Sequence, residues 1–309
     1  MTRFHTPVLL KEVIEFLAPK EGGVYFDGTL GGGGYAEKIL EASGPDGVLF
    51  GVDVDNDALV AAKKGLEKFG ERAVIEKANY ADVLNFADKR SLKFDGMVGD
   101  LGVSSHQLDL GARGFSFNSD APLDMRMDKS GGETAIDVIR SCSCGELEEI
   151  FVKYGEEKFA RRIAENVFEK KENIRTTLDL EKICWSAYPS KLRHGRIHPA
   201  TRVFQALRIA VNGELDNLEK FIGDAPGVLR SGGRLVIVSY HSLEDRIVKL
   251  AFKGLAMGGG FKLLTKKIVG PSDDEIAANP RARSAKLRAI SKGVVKNVLF
   301  GGWSKMSRC

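Results

Sequence analysis

Four consecutive glycines sit at the heart of the segment Asp27-Gly28-Thr29-Leu30-Gly31-Gly32-Gly33-Gly34, between an apolar run and a helical one. Glycine lets backbone approach a ligand closely and adopt positive φ at little cost. A strand that passes through such a turn into a helix is the geometry of a nucleotide site, with a plain flexible turn as the alternative. About twenty residues further on, Gly51-Val52-Asp53 places a carboxylate at the end of the next apolar run, where it can accept ribose hydroxyls. Nicotinamide enzymes and methyltransferases share that pairing, so it specifies a ribose and not a reaction. Asp27 discriminates between them. A pyrophosphate calls for glycine directly after the strand, whereas S-adenosylmethionine carries an ammonium and a sulfonium and suits an acidic rim. The methyl donor is the expected cofactor.

The elements that must hold these residues can be read from periodicity. Strands are expected at Val24 to Phe26, Val48 to Val52, Ala73 to Lys77 and Gly96 to Gly99, with amphipathic helices such as Tyr35 to Ala42 and Ala58 to Phe69 between them. This alternation predicts a parallel sheet wound with helices. After Asp100 the pattern changes: Leu101 to Met127 is rich in Gly, Ser and Asp, and Thr134 to Val211 reads as helices without strands. Strands resume at Arg234 to Tyr240 and again at Val294 to Phe300. The expected fold is therefore α/β, a Rossmann-like sheet with a helical domain inserted after the fourth strand. Residues 1–105 and 213–309 would form one discontinuous domain and residues 106–212 the insertion.

Composition narrows the classes. Over 309 residues, 43% hydrophobic and 28% charged is the balance of a globular protein rather than a disordered one. The first twenty residues carry Lys11, Glu12 and Glu15 and so lack a signal-peptide core, and no window has the length of uncharged apolar sequence that a spanning helix needs. A cytoplasmic location without membrane attachment is expected. Four cysteines with a Cys142-Ser-Cys144 spacing and five scattered histidines do not complete a metal set, so none is expected.

The net charge of +4 hides a gradient. Residues 1–105 hold 12 basic and 17 acidic side chains, while residues 241–309 hold 14 basic and 5 acidic. Between Ile183 and Gly213 there is no acid beside Lys191, Arg193, Arg196, Arg202 and Arg208, and eight basic residues follow Glu275 without an acid. Such stretches can neutralise phosphates, with affinity that falls as salt rises. Trp185, Tyr188 and Trp303 are candidates for base stacking, with burial as the alternative.

The blocks His5-Thr6-Pro7-Val8-Leu9-Leu10, Asp27 to Gly34, Asp100-Leu101-Gly102-Val103-Ser104-Ser105 and Arg113-Gly114-Phe115-Ser116-Phe117 occur in that order. They are followed by Pro122 to Met127, His198-Pro199-Ala200-Thr201-Arg202, His241-Ser242-Leu243-Glu244-Asp245-Arg246 and Asn279 to Ser284. In these blocks the sequence resembles the MraW/RsmH methyltransferases over nearly its whole length. The resemblance implies a class I methyltransferase sheet and N4-methylation of a cytidine in the decoding region of 16S ribosomal RNA. It also implies donor contacts at Gly33, Gly34, Tyr35, Asp53, Tyr80, Asp100 and Gln107. Tyr35 stands where the family often has histidine, and Tyr240 where phenylalanine is usual.

The N4 lone pair of cytosine is delocalised into the ring, so a carboxylate or carbonyl that accepts an amino hydrogen would strengthen the nucleophile. Asp100, at the carboxyl end of the fourth strand, is the candidate for this role or for holding the donor's ammonium. His241 is a second candidate for proton handling, with a structural role as the alternative. Candidate substrate contacts are His5, Arg202, Arg281 and Arg283. The expected partner is 16S ribosomal RNA or the small ribosomal subunit, and a homodimer is the default assembly. Rival readings are methylation of another nucleic acid, a nicotinamide-dependent oxidoreductase and a nonenzymatic RNA-binding protein.

Overall fold

The structure is a computed structural model, and residues 7–104, 107–108 and 111–294 are described. The chain runs α1 (Leu10–Leu17), β1 (Val24–Asp27), α2 (Gly34–Ala42), β2 (Val48–Asp53), α3 (Asn56–Leu66), β3 (Ala73–Lys77), α4 (Val83–Asp88) and β4 (Phe94–Asp100). The helices that follow with both ends among the described residues are α5 (Ala135–Ser141), α6 (Cys144–Gly155), α7 (Ala160–Lys170), α8 (Thr177–Ala187) and α9 (Thr201–Asn212). The remainder is α10 (Glu214–Val228), β5 (Leu229–Ser239), α11 (Ser242–Met257), β6 (Phe261–Leu263), α12 (Asp273–Ala278) and β7 (Lys286–Lys292).

The seven strands form one sheet in the order β3-β2-β1-β4-β5-β7-β6, with β7 antiparallel to both its neighbours. This is the Rossmann-like class I arrangement. Because β1 to β5 are parallel, their carboxyl ends share one edge of the sheet, and the crevice of such folds lies there. Apolar side chains cover both faces. Tyr25, Ile39, Leu49 and Val98 belong to the core on one side, and Phe26, Met97, Phe221 and Phe252 to that on the other. Both faces are buried, which is why the parallel strands read as continuous apolar runs.

Helices α5 to α9 close around a core of their own that includes Leu123, Ile139, Phe151, Ile163 and Leu207. Their starts are set locally by reciprocal caps, Thr134 with Asp137, Ser143 with Glu146 and Thr176 with Asp179. Gly213, at φ 58°, ends α9 and begins α10, turning the chain back to the sheet.

The strand expected at Val294 to Phe300 is not where the sheet is completed. Val294 is in no strand and residues 295–300 lie outside the described residues; the last strand is β7, Lys286–Lys292. Lys286, Arg288 and Lys292 made that segment read as polar, yet Leu287 and Ala289 are buried on one face of the sheet and Ile290 on the other. The three-residue β6 gave too short a pattern to read. Among the described residues no helix is long and apolar enough to cross a membrane.

Candidate active site

The carboxyl edge of the sheet opens into a cavity of about 490 Å³, within the roughly 300–1,000 Å³ of small-molecule sites. The glycine turn forms its floor. Gly28 N–H donates to Val98 O at 3.0 Å and Leu30 N–H to Val52 O at 3.0 Å, pinning the loop to both neighbouring strands. Gly31 and Gly33 have φ of 50° and 83°. A Cβ on Gly28 would fall 2.9 Å from Cβ of Tyr80, so glycine is needed for this close approach.

Three carboxylates surround the turn. Asp27 is fully buried; its Oδ1 accepts from Thr29 N–H at 3.1 Å and its Oδ2 has no partner. Burial above all, with Asp100 and Asp53 nearby, pushes its carboxyl up to about 7. Asp53 accepts from Gly31 N–H and from Asp55 N–H, each at 2.9 Å, and burial raises its pKa despite those bonds. Asp100 is surrounded by protein and opens into the cavity. Tyr240 Oη donates to its Oδ1 at 2.8 Å, and Tyr35 Oη lies 3.4 Å from Oδ2 while also donating to Val8 O. Burial lifts Asp100 to about 7 against the lowering effect of both hydroxyls. Thr29 Oγ1 accepts the Asp100 N–H at 2.6 Å, locking the strand end to the glycine turn. The carboxylates of Asp53 and Asp100, which line the cavity, suit a cationic ligand and repel a pyrophosphate, while Asp27 lies buried off the wall.

Gly34, Tyr35, Asp53, Tyr80, Asp100 and Gln107 all line this cavity. Tyr80 sets its ring edge-on to Phe221, 5.3 Å between centroids, and burial raises its hydroxyl pKa. Gln107 donates to Asp55 Oδ2 at 2.8 Å and accepts the Ser104 N–H at 3.0 Å. Gly33 is not on the cavity wall: a Cβ there would meet Leu66 at 3.1 Å, so its part is the packing of α2 against α3.

The structure separates the remaining candidates from the cavity. His241 is the N-cap of α11, its Nδ1 accepting the Glu244 N–H at 3.4 Å, with Nε2 buried 3.2 Å from Glu244 Oε1. Burial works to raise the Glu244 pKa, but His241, Arg208 and the Tyr240 N–H hold it lowered. Glu214, which accepts both Nε and Nη2 of Arg208 at 2.8 and 2.9 Å, brings a carboxylate oxygen within 4.8 Å of the His241 and Glu244 ligand atoms. Arg208 and the helix cap already occupy that cluster. Arg202 is half-buried and donates to Glu156 O at 2.8 Å; Arg281 and Arg283 are exposed on the turn Pro280–Ser284. His5 and Trp303 lie outside the described residues. Trp185 stacks on His198 at 5.3 Å, and His198 on Phe117 at 4.7 Å, so these rings serve each other.

Sequence reasoning missed a buried ion pair. Arg113 Nη1 meets Asp55 Oδ2 at 2.8 Å with side-chain exposures of 2% and 5%. The signal was an arginine set inside the block Arg113 to Phe117, next to two aromatic rings. It also missed Lys77, whose ammonium reaches Asp128 at 2.8 Å and Ser130 at 3.0 Å across the cavity rim.

Residues 2–293 match the family model described as the MraW methylase family. The chain belongs to that family. It is 50% identical over 307 residues to a ribosomal RNA small subunit methyltransferase H of Syntrophus aciditrophicus, covering 94% of this chain and 98% of the relative. A protein of the same name from a Nostoc species is 52% identical over 288 residues, covering 93% and 92%. As an MraW methylase the protein uses S-adenosylmethionine as its methyl donor. The carboxylates of Asp53 and Asp100 on the cavity wall and the close-packed glycine turn fit that ligand, whereas Asp27, expected at an acidic rim, is buried off that wall; membership leaves the nicotinamide reading without support.

Proposed function

We propose that the protein methylates N4 of a cytidine in the decoding region of 16S ribosomal RNA, presented as RNA or within the small subunit. The observation that carries this reading is Asp100, a carboxylate at the end of β4 that lines the cavity beside the glycine turn and is held near neutral pKa. A general base is most effective when its pKa lies near the working pH. The name borne by the relatives supplies the RNA target.

When bound, S-adenosylmethionine supplies a methyl group already activated by its sulfonium. The protein's own task is to position two ligands in line and to strengthen the nucleophile. Asp53, with lone pairs left after its two backbone bonds, accepts the ribose hydroxyls. Tyr240 holds Asp100 Oδ1, which leaves the more loosely held Oδ2 to accept a hydrogen from N4. That bond pushes electron density back onto the nitrogen, and the carboxylate takes the proton as the N–C bond forms. His241 orients the start of α11 beneath Tyr240 and is a positioning residue.

Residues 1–105 and 213–309 act as the donor domain, and the helical residues 106–212 as the recognition domain. The target base must be unpaired or flipped out, at a cost of roughly a few kcal/mol. Arg202 on the insertion, half-buried, and Arg281 and Arg283 on the C-terminal turn, both exposed, meet its flanking phosphates. Arg288 is excluded from that role because it is bound to Asp245 through Nε at 2.6 Å and Nη2 at 3.1 Å.

Labelled methyl transfer to small-subunit RNA followed by nucleoside analysis tests the reading. N4-methylcytidine is the expected product. Label on a ring carbon or on a ribose oxygen overturns it.

A further inference from the structure

Arg113 is nearly as buried as any residue in the protein, and the chemistry above does not use it. Its guanidinium binds two segments and shares one acceptor oxygen with a third. Nη1 donates to Asp55 Oδ2, the same oxygen that Gln107 Nε2 holds at 2.8 Å. Nη2 donates to Arg126 O and Met127 O, both at 3.0 Å. The backbone closes the knot, since Met125 N–H donates to Arg113 O at 3.0 Å.

Each segment borders the cavity from a different side. Asp55 is two residues beyond Asp53 and donates its N–H to it, so one end of the knot rests on the carboxylate assigned to the donor ribose. Gln107 and Met127 are themselves on the cavity wall. From Met127 the chain continues through Asp128 to Ser130 along the rim, where Lys77 at the end of β3 ties it down. Residues 125–130 thus form a strap along the cavity rim, held by the buried Arg113, by the half-exposed Lys77, by Lys129 at 3.8 Å from Asp57, and by Asn212, which accepts the Met127 N–H at 2.7 Å and donates to Met125 O at 2.8 Å. Arg113 is the anchor that ties the strap to Asp55, beside the donor carboxylate. Met125 at the root of the strap packs in the core of the inserted helices.

We propose that Arg113 is a positioning residue that links the donor end of the cavity to the strap, so that filling the donor site orders the strap and prepares the insertion for RNA. The link to RNA rests on the function proposed above; the link to the strap does not. Only a planar fork of donors serves this role. Arginine reaches a carboxylate on one side and two carbonyls on the other, which a lysine ammonium on its single flexible stem does not reproduce.

Hydrogen exchange with and without S-adenosylhomocysteine, on wild type, Arg113→Lys and Lys77→Ala, tests the strap. In wild type the ligand is expected to slow exchange both in the glycine turn and in residues 125–130. In Arg113→Lys protection is expected to stay in the turn and vanish from the strap, while Lys77→Ala keeps both. Undiminished strap protection in Arg113→Lys overturns the proposal. Since removing one partner of a buried pair can unfold a protein, wild type decides alone if the variant does not fold: a strap that the ligand leaves unprotected overturns it as well.

The second measurement is RNA affinity with and without S-adenosylhomocysteine. Coupled sites typically differ by about 5- to 150-fold. Wild type is expected to bind small-subunit RNA at least about five-fold tighter with the ligand, and Arg113→Lys to lose that ratio. An equal ratio in both proteins refutes the link to RNA. Failure of wild type to bind the RNA at all counts against the proposed substrate, while the exchange experiment still decides the strap.

Discussion

Replacing Tyr240 by phenylalanine removes one atom, the hydroxyl that donates to Asp100 Oδ1 at 2.8 Å. The ring and its packing remain. In the wild type that bond stabilises the ionised carboxylate and offsets part of the rise that burial causes, leaving the pKa at about 7. A hydrogen bond to a charged group contributes about 1.5–3 kcal/mol. At 1.36 kcal/mol per unit this corresponds to a rise of about one to two units on its loss. With a rise of one unit, the ionised fraction of Asp100 at pH 7 falls from about a half to about a tenth, and the single-turnover rate falls about five-fold. At pH 9 the two enzymes converge. The assay is single-turnover transfer of labelled methyl from pH 5.5 to 9.5 with donor saturating. Positive charge on the bound donor lowers both profiles alike, so the displacement between them is the readout. A Tyr240→Phe enzyme that is slower by the same factor at every pH, with an unmoved inflection, would show that the hydroxyl does not act through ionisation of Asp100.

Four further outcomes are expected. Asp53→Ala strips the acceptor from the Gly31 and Asp55 amides and from the ribose, so the donor Kd measured by calorimetry should rise about 10- to 100-fold. Asp27, near 7 when folded and 3.8 otherwise, binds its proton more tightly in the folded state, so its contribution to stability is present below pH 4 and lost as pH rises through 7. Asp27→Asn should therefore raise the apo-protein Tm at pH 8 and leave it unchanged near pH 4; a rise of equal size at both would refute the assignment. Glu214→Gln leaves the Arg208 guanidinium short of a counter-charge in a buried pair and should cost about 3 kcal/mol, read as lower denaturant and thermal midpoints. Arg281→Glu with Arg283→Glu should weaken RNA binding and reduce the log–log salt slope by roughly 0.7 for each phosphate no longer neutralised, whereas an unchanged slope removes that turn from the interface.

The central sheet and the donor end of the site were legible because one-dimensional signals set them. Glycines at Gly28 and Gly31 are required by a close approach and a positive φ, and Asp53 and Asp100 stand at strand ends that periodicity marks. Strand β7 was misplaced because an edge-side strand with Lys286, Arg288 and Lys292 on its open positions does not look apolar. The roles of His241 and Arg113 were hidden for a different reason. A histidine ahead of Ser-Leu-Glu reads as a proton handler or as a structural residue, and its capping box with Glu244 shows only in three dimensions. Arg113 sits in a segment with no periodicity, and its partner Asp55 is far away in sequence. Long-range ion pairs leave no local pattern.

Strands β4 and β5 are neighbours at the centre of the sheet, with Asp100 paired to Val238, yet the whole insertion lies between them in the chain. During synthesis β1 to β4 therefore emerge with the inner edge of β4 unpaired, and it stays so until β5 has followed the inserted helices out of the ribosome. An exposed edge of this kind is a template for wrong pairing, and distant strand pairing is slow. The inserted helices, stabilised by their own caps and core, can finish folding within that interval and bring β5 back beside its partner. The edge carrying Asp100 is thus sealed only after the insertion has been made, and the active site cannot be complete before β5 has paired with β4.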